Sequence, residues 1–193
     1  DKAVALLERL VRADAGNADA HADLGAAYAA IGNRDGALTQ FHEALRLKPT
    51  NASAMTGLGN FYLKQGDEAQ SIPYLQKASG LEPGAFQPHF LLGSAYGRTH
   101  RYEEALTELK TALRLGGEQP EIYYQLARVY GALGRAQDQR QALARFASLT
   151  KQSKDDEEGQ RSAATLMEEA KSLIDSGDLR GALARMEEAR RIR

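Results

Sequence analysis

Leu24, Leu58, Leu92 and Leu126 stand 34 residues apart, and Tyr28, Tyr62, Tyr96 and Tyr130 keep that interval four positions later. Between them runs the column Gly25, Gly59, Gly93 and Ala127. Downstream come Ala44, Ala78 and Ala112, then Pro49 and Pro83, with Gly117 where a third proline is due. A period of this size means that one supersecondary unit recurs, and that neighbouring units stack to bury a common core.

Each unit reads as two amphipathic helices. In the first, Leu24, Tyr28 and Ile31 mark one apolar stripe, and Leu38, Phe41, Ala44 and Leu45 mark another. The stretch GNRD (32–35) breaks between them. KPTN (48–51) ends the pair, because Pro49 cannot continue a helix interior. No segment alternates with period two between turn signals, so no strands are predicted and the fold is all-α.

The pattern resembles the tetratricopeptide repeat, W-x2-L-G-x2-Y…A-x3-F…P at 34 residues. The best copy is His21, Leu24, Gly25, Tyr28, Ala37, Phe41 and Pro49. The next reads Met55, Leu58, Gly59, Tyr62, Ser71, Leu75 and Pro83, and the third His89, Leu92, Gly93, Tyr96, Ala105 and Leu109. The fourth is looser, with Tyr123, Leu126, Ala127, Tyr130, Gln139 and Leu143. His, Met or Tyr replaces the tryptophan throughout. The resemblance implies a right-handed superhelical array, an α-solenoid of antiparallel helix pairs.

On this register the repeats span 18–51, 52–85, 86–119 and, divergently, 120–149. Residues 1–17 match the second helix of a truncated repeat, and 163–193 form a C-terminal repeat-like unit. A chain that begins and ends inside its own repeat is expected to be a piece of a longer array, the alternative being a natural half-repeat cap. Between the fourth copy and the last lies a polar insert, 150–162. It reads as a solvated loop, or, since it lacks proline, as a helix continuing through Leu149 toward Leu173.

Composition closes several routes to chemistry. The chain has no cysteine, which removes disulfides, thiol nucleophiles and zinc–thiolate sites. A net charge of −1 leaves no excess to neutralise phosphates, so nucleic acid is not an expected partner. No apolar run is long enough to span a membrane. His21 and His89 occupy one column, 68 residues apart, and are read as packing residues rather than ligands converging on a metal. Neighbouring carboxylates such as Glu103 and Glu104 do not face each other on a helix, so they are not an acid–base couple. No enzymatic role and no cofactor is expected.

The resemblance places function on the concave face lined by the first helix of each unit, where peptides or partner helices dock. On that face Phe90 and Tyr124, one period apart, are aromatics that the core pattern does not require. Lys64, Arg98 and Arg128 form a cationic trio beside Asn60 and Ser94. Such a groove suits an acidic protein or peptide segment. The clamp with which one subfamily captures a terminal carboxylate is missing: the matching positions carry Ala22, Ala26, Gly57, Gln87 and Leu91. Gly57 is expected to open room for a ligand backbone. The alternative reading is self-association, with open repeat ends stacking between copies.

Overall fold

The computed structural model describes residues 2–176 together with 181, 184, 185 and 188, with side chains at all of these except 151–164, 167, 174 and 175. Among the described residues there are nine helices and no strand. They are α1 (Lys2–Ala13), α2 (Ala18–Ala30), α3 (Arg34–Leu47), α4 (Ala52–Gln65), α5 (Glu68–Leu81), α6 (Phe86–Arg98), α7 (Tyr102–Gly116), α8 (Pro120–Ala132) and α9 (Ala136–Asp175). Helices α2, α4, α6 and α8 open at 34-residue intervals, so the sequence period is the period of helix pairs. The chain is an all-α solenoid.

Helix starts are set by short polar side chains that take up otherwise orphaned backbone amides. Asn17, Asn33, Asn51 and Asp67 each accept from the amide three residues on, at 2.8–3.1 Å. Ala85 and Gln119, in the column of Asn17 and Asn51, provide no such cap to α6 and α8. The turns inside the pairs need a left-handed residue, and Gly32, Gly66 and Gly134 meet that need at φ of 79°, 75° and 70°. The third pair breaks the series: His100 adopts φ 61°. A side chain there costs about 1–2 kcal/mol.

The core also repeats. Phe41, Leu75 and Leu109 are at most 1% exposed, and Ala44, Ala78 and Ala112 are fully buried. Each of the three large side chains lies against the glycine of the preceding helix in its own pair. A β-carbon at Gly25, Gly59 or Gly93 would come within 2.7, 2.4 or 2.7 Å of Phe41, Leu75 or Leu109. Close helix approach, not turn formation, is what these glycines permit. Phe41 reaches further still: a β-carbon at Gly57 in the next repeat would sit 2.3 Å from its ring. The room at Gly57 is thus taken up by Phe41 rather than left for a ligand backbone.

Helix α1 packs on α2, and the Tyr28 hydroxyl donates to Glu8 Oε1 at 2.7 Å. That bond to an anionic acceptor, then burial, raises the Tyr28 phenol above the usual tyrosine pKa.

The chain divides into two units, 1–142 and 143–193. Of the two readings open for 150–162, the helix is the one observed, because α9 runs without interruption from Ala136 to Asp175. The loop reading is corrected: with no proline and one glycine, nothing in the insert is strong enough to break the helix. Within the second unit Ala170 is buried, and Arg185 pairs with Glu169 at 3.1 Å. Most of the closing turn and second helix expected at 172–193 lies outside the described residues.

Candidate functional site

Among the described residues, clefts open along the face shared by α2, α4, α6 and α8. The first, about 420 Å³, lies between α2 and α4, floored by Phe41 and Gly57 and rimmed by Arg34, Asn60 and Lys64. The second, about 300 Å³, runs from α4 to α6 and shares Asn60, adding Ser53, Thr56 and Gln87. The third, about 370 Å³, lies between the α6–α7 turn and α8.

Of the seven residues picked out on this face, Asn60 and Lys64 meet at the first cleft. Asn60 is half-buried with its side-chain amide unpaired among the described residues, and it lines two clefts. Lys64 is exposed, and neither it nor Arg34 has a carboxylate partner among the described residues. Arg128 and Arg98 both line the third cleft.

Phe90 and Ser94 require correction. Phe90 is not an exposed anchor: it is half-buried against the core and stacks on Phe86, with centroids 5.6 Å apart and rings inclined by 19°. Ser94 is buried, and its hydroxyl donates to the Phe90 carbonyl at 2.9 Å. Arg98 has a structural duty as well. Its Nη1 donates to the Leu63 carbonyl at 2.8 Å and reaches Glu68 Oε1 at 3.4 Å, which ties neighbouring repeats. Tyr124 is 47% exposed, with the Arg128 guanidinium 6.0 Å from its ring centroid.

The histidine column has a positional role. His21 Nδ1 lies 2.7 Å from Gln40 Oε1 and Nε2 lies 3.2 Å from the Ala15 carbonyl. His89 repeats the arrangement with Glu108 at 2.6 Å and the Pro83 carbonyl at 3.3 Å. Each ring laces the second helix of its pair to the turn before the first. Among the described residues no cluster of three or more His, Asp or Glu could hold a metal ion. Glu103 pairs with Arg135 at 3.1 Å. Glu104 takes a two-pronged hydrogen bond from Arg101, which holds its carboxyl below the usual pKa. No described helix is long and apolar enough to cross a membrane.

The residues missed by the column reading are Arg34, Glu68, His100 and Tyr102, all from turns or second helices. One signal for His100 was present, since position 100 breaks a column otherwise held by Gly32, Gly66 and Gly134.

Residues 52–84, 86–115 and 120–153 match the tetratricopeptide repeat family, and a second description of the same repeat matches 27–66 and 101–134. Tetratricopeptide repeat protein 37 of Xenopus laevis is 31% identical over 120 residues, covering 61% of this chain and 8% of that protein. Superkiller protein 3 of Schizosaccharomyces pombe is 26% identical over 121 residues, 59% of this chain and 9% of that protein. The chain therefore spans under a tenth of the length of the curated relatives it matches. Among solved structures, MamA from AMB-1 is 28% identical, with a TM-score of 0.63 over 77% of this chain and 81% of that one. MamA from Desulfovibrio magneticus RS-1 shares the fold at 23% identity and a TM-score of 0.62, over 78% of this chain and 83% of that one.

Proposed function

Since the chain belongs to the tetratricopeptide repeat family, we propose that it is an interaction scaffold without catalysis of its own, gripping an acidic protein or peptide segment along the face of α2, α4, α6 and α8. One observation carries this reading: an apolar cleft floored by Phe41 is rimmed by Arg34 and Lys64, cations with no carboxylate partner among the described residues, beside the unpaired Asn60 amide. A backbone or carboxylate arriving there would satisfy all three groups.

The test belongs at Asn60 and Lys64, because Phe90 and Arg98 also hold the fold. An array of acidic and basic peptides would be probed with wild type and with Asn60→Ala plus Lys64→Glu. Wild type is expected to retain acidic peptides, and the variant to lose about fivefold in affinity, as for reversal of a rim charge. Unchanged binding at unchanged stability would remove the groove assignment.

A second reading, self-association, is favoured by α1, where Leu6 is 65% and Leu10 45% exposed on the side away from α2. Light scattering at high concentration is expected to show association that Leu6→Glu plus Leu10→Glu abolishes. A wild-type monomer would dispose of it. The other end surface, in 179–193, lies largely outside the described residues.

A further inference from the structure

We propose that the cleft beside the α6–α7 turn is a carboxylate-binding subsite, in which His100, Gln125 and Arg128 receive one acidic side chain of the partner segment. The proposal rests on the groove reading above and adds a place and a residue set to it.

The first observation is backbone strain with a functional position. Three of four equivalent turns use glycine at positive φ, while the turn facing this cleft uses histidine at φ 61°. A strained residue persists where its side chain is needed or its surroundings hold it. The second observation is orientation. Tyr102 lies on the first turn of α7, with its hydroxyl 2.5 Å from His100 Nδ1 and the two rings edge to face at 5.6 Å. When the Tyr102 hydroxyl is the donor to Nδ1, the ring proton sits on Nε2, the tautomer that an anionic acceptor in the cleft would favour. The ring that lines the cleft is thereby braced by its Tyr102 contact, with Nε2 as the nitrogen left for a ligand.

The third observation is the charge and hydrogen-bond inventory. Arg98 is held by the Leu63 carbonyl and by Glu68, which also lines the cleft. Arg128 makes a ring contact with Tyr124 and has no carboxylate partner among the described residues. The Gln125 amide has no partner among them either. Arg98 and Arg128 set against Glu68 leave the lining with an excess of positive charge. A carboxylate complements that excess, and its two oxygens can accept from both Arg128 and the Gln125 amide. Val129 and Gly97 supply an apolar wall for the methylenes of that side chain.

The experiment is an NMR titration of the full chain with acetylated, amidated hexaglutamate, and with hexaglutamine as the uncharged control. Hexaglutamate is expected to give saturable shifts at the His100 imidazole and the Gln125 side-chain amide, and hexaglutamine none. His100→Gly relieves the turn, so its Tm is expected to rise by a few degrees while its hexaglutamate affinity falls about fivefold, the loss of one hydrogen bond. Arg128→Gln should weaken binding similarly with Tm unchanged. Equal shifts with hexaglutamine, or a His100→Gly variant that binds as wild type does, would overturn the subsite. The Asn60 and Lys64 variant separates the two levels. If it loses acidic peptides while His100→Gly does not, the subsite fails and the groove stands; if neither variant matters, the groove fails as well.

Discussion

Phe41→Ala is expected to lower stability by about 3–5 kcal/mol, the range for emptying a fully buried aromatic position. The ring is 1% exposed and touches glycines of two successive repeats, neither of which has a side chain that could move into the gap. Phe41 therefore contributes to its own helix pair and to the contact with the next. In a linear array, stability is the sum of unit and nearest-neighbour terms. Urea denaturation followed by circular dichroism is expected to show an earlier first transition, because the first repeat detaches from the second. A midpoint close to wild type would mean that the ring is not the wedge described.

The converse substitution, Gly57→Ala, fills the space rather than emptying it. Alanine brings a helix-propensity gain of about 1 kcal/mol, opposed by overpacking of about 1–3 kcal/mol. With a β-carbon 2.3 Å from a buried ring, overpacking is the larger effect, and a net loss of about 1–2 kcal/mol is expected. Gly80 is the control, since it lies inside α5 with nothing within 4 Å of an added β-carbon. Gly80→Ala should raise stability by up to about 1 kcal/mol. Phe41→Leu combined with Gly57→Ala should cost less than the sum of the two single changes, because both act on one contact. Strict additivity, or equal effects at 57 and 80, would refute the steric account.

The helix pairs were legible because a 34-residue period repeats both the apolar stripes and the turn residues. The roles of individual side chains on the groove face were less so. Column position places Phe90, Ser94 and Arg98 on that face, but it does not reveal that Phe86 lies within stacking distance. Nor does it show that the Leu63 carbonyl, 35 residues before Arg98, is close enough to claim its guanidinium. Those partners are defined by packing between turns of the solenoid, which spacing alone does not encode. Asn60 and Lys64 line the first cleft, and among the described residues nothing competes for their side-chain polar atoms. The insert at 150–162 was undecided for another reason: its polar composition fits a solvated loop and an exposed helix equally well, and propensity is a weak arbiter between them.

From α1 to α8, each described helix packs on helices one or two places away along the chain: α1 on α2, then α2 on α3 and α4, and so on to α6 on α7 and α8. A chain leaving the ribosome would thus meet its packing partners in the order of synthesis. Each helix pair could settle once the following one has emerged, without waiting for distant residues. For the same reason, excising one whole 34-residue unit would rejoin surfaces of the same kind, so the length of this array can change by whole repeats without a new fold having to arise.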